Sequence, residues 1–157
     1  MKNYMIRCLL ALSLCSFSGC CSKKEMVNQT EKTSDETFRV LIQDSNINVT
    51  EEKVIVIDNQ EKLLAFYATL NETRTPGFVA PVVNFKNQSV IVVAMGQKST
   101  GGYTLSVPKF VKSESLFEFY YIMPKPREPV TMSMTTPGIV VLANQTSDTF
   151  VVRVNDK

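Results

Sequence analysis

The chain has 157 residues, enough for one domain with some additional sequence. Hydrophobic residues make up 44% of it and charged residues 20%, which are the proportions of a globular protein and argue against wholesale disorder. The formal net charge is +2, and removal of residues 1–19 with Lys2 and Arg7 would leave 15 basic against 15 acidic side chains. A neutral chain without a basic stripe gives no electrostatic support for nucleic-acid binding, so we expect no nucleic-acid partner.

All four cysteines lie within the first 21 residues, at positions 8, 15, 20 and 21, and the chain contains no histidine. A disulfide framework, a zinc site and Cys/His nucleophilic catalysis are therefore excluded for the rest of the chain. We expect a protein that is not an enzyme, with no catalytic residues, no metal site and no cofactor.

The N-terminus has the organisation of a bacterial lipoprotein signal. Lys2 and Arg7 form a basic region beside the apolar stretch 8–14, which is too short to span a bilayer, since a spanning helix needs about 20 residues. The sequence FSGC that ends at Cys20 resembles a lipobox, in which the cysteine is acylated and becomes the first residue. We predict a signal peptide over 1–19, palmitate-type acylation of Cys20, and a body anchored by lipid to the cell membrane or outer membrane, in the periplasm or on the cell surface.

A polar segment separates this signal from the body. The sequence CSKKEMVNQTEKTSDE (21–36) has almost no large apolar side chain, so it cannot bury enough surface to offset the entropy of ordering. We predict that 20–36 comprises the lipidated cysteine and a flexible tether. Residues 37–157 are predicted to form a single domain.

The body begins with two predicted strands and a helix. FRVLI (38–42) and KVIVID (53–58) are short apolar runs, and Asp58 with Glu61 forms a capping-box pattern. The helix is expected to end near Asn71. Its apolar residues recur at i, i+3, i+4 and i+7, which predicts one core-facing stripe: Leu63, Phe66, Tyr67 and Leu70.

From residue 89 onward the periodicity is that of strands. Residues 89–95 are apolar on both faces, as in a central strand. Two further runs alternate. Residues 103–107 place Tyr103, Leu105 and Val107 on one side of a predicted strand. In 130–135, Val130, Met132 and Met134 are predicted to point inward. The remaining predicted strands are 116–123, 138–143 and 149–154. Together these elements predict an α+β fold, a largely antiparallel β-sheet of about six strands with one main helix packed on it.

The loop between residues 95 and 104 is rich in glycine and small polar residues. Gly101 and Gly102 permit positive φ, which a tight reversal needs. The loop is either a constrained hairpin with Tyr103 packed on the sheet or an exposed recognition loop, with Gln97, Lys98, Ser99, Thr100, Gly101, Gly102 and Tyr103 as candidate binding residues. Lys98 beside Ser99 has the composition of a Ser/Lys catalytic dyad, but adjacent loop residues rarely converge on one reacting atom.

The run VVNFKNQSVIVVAMGQKSTGGYTLSV (82–107) resembles the signature of the PrcB C-terminal domain family, named for a lipoprotein subunit of a bacterial surface protease complex. The helix VIDNQEKLLAFYATL (56–70) and the proline-rich MPKPREPVTMSMTTPGIVV (123–141) fit the same family pattern. The resemblance covers about residues 53–143. It implies association with, or support of, a surface protease or another surface complex.

The leading hypothesis is a lipid-anchored, non-enzymatic protein-interaction domain at the bacterial cell envelope, with a protein partner such as a protease. One alternative is a chagasin-like peptidase inhibitor that uses the loop from Ser99 to Tyr103, with Lys125 to Arg127 as a second contact. Another is an envelope protein that binds a glycan or small ligand on an aromatic platform formed by Tyr67, Tyr103, Phe117, Phe119, Tyr120 and Tyr121. A hydrolase is the least favoured, because it would have to act without histidine or cysteine.

Overall fold

A computed structural model describes residues 37–125 and 127–156. The predicted signal peptide (1–19), Cys20 and the tether (20–36) lie outside the described residues. The described residues fall within one compact unit.

Within the described residues the chain forms eight strands and one α-helix. In chain order these are β1 (Phe38–Asp44), β2 (Glu52–Ile57), α1 (Gln60–Asn71), β3 (Ser89–Met95), β4 (Thr104–Leu105), β5 (Lys109–Val111), β6 (Leu116–Ile122), β7 (Gly138–Ala143) and β8 (Val151–Asp156). The predicted α+β class, with mostly antiparallel strands and one helix, is confirmed. The strands number eight and form two sheets, where about six in one sheet had been expected.

The first sheet has the order β1-β7-β3-β2, and all its neighbours are antiparallel. Alternate residues of β3 face opposite sides, so Val90 and Val92 pack under α1 whereas Ile91 and Val93 pack against the second sheet. Every residue of β3 and β7 is buried. The sequence prediction that 89–95 is apolar on both faces is confirmed, because a layer covers each face.

The second sheet is built around β6, which pairs with β4 and β5 on one edge and with β8, in parallel, on the other. The predicted continuous strand 103–107 is wrong, since only Thr104 and Leu105 belong to β4 and Val107 is 54% exposed. The regular backbone pairing of β4 with β6 is interrupted at Ser106. There the Tyr120 N–H donates to the Ser106 side-chain Oγ at 3.0 Å and not to a backbone carbonyl. Regular pairing resumes only at β5, after Pro108.

The helix carries its predicted stripe, since Leu63, Phe66, Tyr67 and Leu70 are all buried. Burial also raises the pKa of the Tyr67 phenol. The helix ends at Asn71, as predicted.

The predicted capping box at Asp58 and Glu61 is wrong. The N-cap is Asn59, whose Oδ1 accepts the Lys62 N–H at 2.8 Å. Asp58 instead accepts a hydrogen bond from the Lys62 ammonium at 2.8 Å, and this bond holds the pKa of Asp58 below its ordinary value.

Asn59→Ala is expected to lower the free energy of unfolding by about 1 kcal/mol, because the Lys62 N–H loses its acceptor. Urea denaturation followed by circular dichroism measures this. Asp58→Ala is the matched control and should have the smaller effect at neutral pH. Because its folded-state pKa is lowered, the Asp58 contribution is present above the unfolded-state pKa and is lost as the pH falls through the folded-state value. A larger effect from Asp58→Ala would show that Asp58, and not Asn59, is the N-cap.

The predicted strand 130–135 is also wrong. Met132 is 87% exposed and Met134 is 68% exposed, although both were expected to point inward, and Val130 is only half-buried. β6 ends at Ile122, before this segment begins, and residues 130–135 belong to no strand of the second sheet. Thr131 and Ser133 are exposed as well, so the alternation in this segment does not mark a buried side.

Candidate functional site

The glycine-rich loop connects the end of β3 to the start of β4. Gly96 has φ +70° and Gly102 has φ +87°, whereas Gly101 is not in the positive-φ region. A Cβ on Gly96 would lie 2.8 Å from the backbone nitrogen of Glu52, so the chain has no room for a side chain there. The prediction that Gly102 provides positive φ is confirmed, but its partner in this role is Gly96 instead of Gly101.

This loop is bonded along its length to residues 131–135. Lys98 and Thr135 exchange both backbone hydrogen bonds, at 2.8 and 2.9 Å, and the Gly101 N–H donates to the Thr131 carbonyl at 2.9 Å. The Thr135 hydroxyl donates to the Thr100 carbonyl, also at 2.9 Å. We call residues 97–103, 123–125 and 127–135 together the tip. The tip is thus two loops that constrain each other, and the first loop is not an isolated hairpin.

A third segment joins the tip to the first sheet. The Gln97 N–H donates to the carbonyl of Thr50, just before β2, at 2.9 Å. The tip therefore sits at the end of the first sheet where β3 ends and β7 begins at Gly138.

The seven candidate binding residues differ in exposure. Gln97, Ser99 and Gly102 are exposed, whereas Lys98, Thr100 and Tyr103 are half-buried and Gly101 is buried. The Lys98 ammonium lies 5.7 Å from the centre of the Tyr103 ring, within cation–π range. The surface that this loop offers to another molecule is therefore formed mainly by Gln97 and Ser99.

The packing of this loop fits the constrained-turn interpretation, and recognition by its exposed residues stays a prediction. Tyr103 and Gly101 pack inward, as in a constrained turn, while Gln97 and Ser99 are presented to solvent, as in a recognition loop.

Close packing of the two loops depends on the glycine pair. A Cβ on Gly102 would lie 2.9 Å from both Pro124 Cβ and Val130 Cγ1. A Cβ on Gly101 would meet the hydroxyl oxygen of Thr131. Glycine at 102 therefore allows the second loop to approach the backbone of the first.

Gly102→Ala is expected to lower the free energy of unfolding by about 1–2 kcal/mol, because an L-residue must then adopt positive φ. The new methyl group would also separate Pro124 from Val130. Thermal or urea unfolding measures the stability, and hydrogen exchange at the Gly101 amide reports loosening of the tip. Gly101→Ala is the control with the smaller expected effect, since the exposed Thr131 side chain can rotate away. Equal effects would contradict the positive-φ argument.

The sequence did not predict that the second loop exposes apolar side chains. Met123, Met132 and Met134 are 52%, 87% and 68% exposed. The only sequence signal was the proline-rich run 123–129, which places the methionines beside or within a segment that is poorly suited to a central strand.

Lys125 and Arg127, proposed as a second contact of an inhibitor, are exposed and belong to the same tip. The Lys125 N–H donates to the Glu128 carboxylate at 2.8 Å, and the Glu128 N–H donates back to the Lys125 carbonyl at 3.0 Å. Arg127 adopts φ +67° within this turn.

The six aromatic residues proposed as a platform do not form an exposed surface. Tyr67 lies in the core beneath the helix, whereas Phe117, Phe119 and Tyr121 lie in the core between the sheets. Tyr103 and Tyr120 are half-buried.

The described residues contain no helix with the length and apolar character of a membrane span. No group of three or more acidic side chains there is arranged to hold a metal ion.

Comparison with protein families identifies residues 89–142 as matching the family model described as PrcB C-terminal. The match confirms, over this segment, the resemblance seen in the sequence. The match runs from β3 through most of β7 and contains the whole tip. It is narrower than the predicted 53–143, because β2 and α1 lie outside it. No curated protein and no solved structure matches the chain.

Proposed function

We propose that this protein is a lipid-anchored, non-enzymatic interaction domain of the bacterial cell envelope, and that the tip is where it contacts a partner protein. The observation that carries the proposal is the mutual bonding of the two tip loops within the segment that matches the PrcB C-terminal family. The family resemblance makes a surface protease complex the first partner to consider.

The bonding pattern suits recognition by contact. Lys98, Gly101 and Thr135 fix the backbone of both loops before any partner arrives. A loop that is already ordered loses less conformational entropy on binding than a flexible one. Preorganisation of this kind supports an interaction surface. The chain also contains no histidine, the residue most often used in general acid–base catalysis.

The position of the tip is also suited to an anchored protein. Phe38 pairs with Ala143, at the end of the first sheet opposite to Gly138 and the tip. An anchor at Cys20 would join the described body through Thr37, a connection that can extend about 60 Å at most. The tip would therefore lie at the end of the body away from its attachment.

The anchor is tested by metabolic labelling with radioactive palmitate. The natural chain should be labelled and should partition into detergent, whereas Cys20→Ser should lose the label and appear in the soluble fraction. Cys21→Ser is the matched control and should keep the label. Undiminished labelling of Cys20→Ser would overturn acylation at that residue.

The interaction is tested by photo-crosslinking in intact cells from two exposed serines. A photoreactive residue at Ser99 lies in the tip, and one at Ser113 lies in the turn before β6, at the other end of the second sheet. We expect one protein to be crosslinked from position 99 only, and the same protein to co-purify from detergent-solubilised membranes. Identical products from both positions, or repeated purification of the chain alone, would contradict the proposal.

A further inference from the structure

The tip exposes three large apolar side chains that do not pack in either core. Met132 is 87% exposed, Met134 68% and Met123 52%, and none of them contributes to either core. Clustered apolar side chains on a surface mark sites of interaction more often than isolated ones do.

These methionines lie beside the glycine-rich loop. The Gln97 side-chain amide lies 3.7 Å from the Met134 sulfur and donates a weak hydrogen bond to it. Gly102 lies against Pro124, the neighbour of Met123, and the Gly101 N–H bonds to Thr131, the neighbour of Met132. The three thioethers and the exposed Gln97 therefore belong to one end of the molecule.

The charge of the tip is positive. Its three basic residues are Lys98, Lys125 and Arg127, and its single acidic residue is Glu128, whose carboxylate already accepts the Lys125 backbone N–H. None of the three cations forms a salt bridge within the part of the chain that the structure describes. A ligand that complements this surface must offer carboxylates around an apolar centre.

We propose that the tip binds a segment of a partner protein in which apolar residues are flanked by acidic ones. This inference rests on the proposed function and specifies the chemistry of its partner. Met132 and Met134 contact the apolar centre, and Lys125 and Arg127 contact the flanking carboxylates. Unbranched, polarisable methionine side chains fit irregular protein surfaces, and methionine and arginine are enriched at protein interfaces.

A protein segment fits this surface better than an anionic bilayer does. Aromatic side chains commonly anchor proteins at the membrane interface. The one aromatic residue of the tip, Tyr103, is half-buried and has the Lys98 ammonium over its ring. The tip also lies at the end of the first sheet opposite to Phe38, where the chain enters the body.

The inference is tested with a phage-displayed library of random peptides, selected on the unlipidated full chain that carries Cys20→Ser. We expect the enriched peptides to contain apolar residues between Asp or Glu residues. A synthetic peptide of the enriched sequence should bind about tenfold or more weakly to the double variant Met132→Ser/Met134→Ser. Its affinity should also fall with added salt and in Lys125→Gln/Arg127→Gln.

Val79→Ser/Val82→Ser is the matched control, because these valines are 90% and 96% exposed but lie outside the tip. It should leave the affinity unchanged, and unfolding curves should show that all variants are folded. Enriched peptides without acidic residues, no enrichment, or equal binding by the methionine variant would overturn the inference.

Vesicles of phosphatidylcholine, with and without phosphatidylglycerol, form the last comparison. Binding only to the anionic vesicles, lost in the methionine variant, would overturn the inference in favour of a membrane contact. Crosslinking specific to Ser99 together with a failed peptide selection would leave the proposed function standing and would reject only this partner chemistry.

Discussion

Phe117→Ala is expected to lower the free energy of unfolding by about 3–5 kcal/mol, the largest effect of any substitution considered for this protein. Phe117 is fully buried on β6, and its ring centre lies 6.0 Å from that of Phe38, 4.7 Å from Phe110 and 5.1 Å from Phe150. Since Phe38 belongs to the first sheet and Phe110 to the second, removal of this ring opens a cavity between the sheets. Urea denaturation of the Cys20→Ser chain, followed by circular dichroism, measures the loss.

The control for this prediction lies on the same strand. Tyr120 is an aromatic residue of β6 that is half-buried, and its hydroxyl makes only a 3.4 Å hydrogen bond to Glu118. Tyr120→Ala should therefore cost clearly less than Phe117→Ala. If the two substitutions had equal effects, the core between the sheets would not depend on Phe117 as the structure indicates.

Gly138→Ala is expected to destabilise the protein by about 2–3 kcal/mol, through overpacking. A glycine within a strand is ordinarily unfavourable, so a change to alanine at a permissive site would stabilise instead. Here a Cβ would lie 2.7 Å from Ile47 Cγ1 and 3.0 Å from the Val93 carbonyl oxygen, and Ile47 is fully buried. Neither neighbour can move without disturbing the core or the pairing of β3 with β7.

A double-mutant cycle identifies the clash. Ile47→Val removes the Cδ1 methyl group that would meet the new Cβ, and alone it should cost about 1 kcal/mol. Combined with Gly138→Ala, it should destabilise by less than the sum of the single changes. Simple additivity, or an increase in stability from Gly138→Ala alone, would show that β7 has room at this position.

Local sequence patterns were sufficient for the helix and the central strands. The stripe from Leu63 to Leu70 repeats with the period of the helix itself, so it predicts the buried face without reference to any neighbour. The cap was assigned one residue too early because Asp58 and Asn59 are both good N-cap residues. In the structure Asn59 is the cap, because its backbone is extended and its side chain accepts the Lys62 N–H, and the two residue types alone do not decide this.

The methionine run shows where periodicity stops being informative. Alternation in 130–135 is the pattern of a half-buried strand, and it places Met132 and Met134 on one side. Whether that side is covered depends on the strands of the second sheet, and β6 ends at Ile122. The same pattern therefore produced an inward prediction for residues that the folded protein exposes.

For the candidate site, the sequence by itself determined the inventory: a loop with glycines at 96, 101 and 102, no histidine in the chain and no thiol beyond residue 21. Only the tertiary structure decided that this loop is bonded to residues 131–135 and that the methionines beside it face solvent. The physical reason is that backbone hydrogen bonds between segments some thirty residues apart use groups common to every amino acid, so they leave no pattern in the sequence.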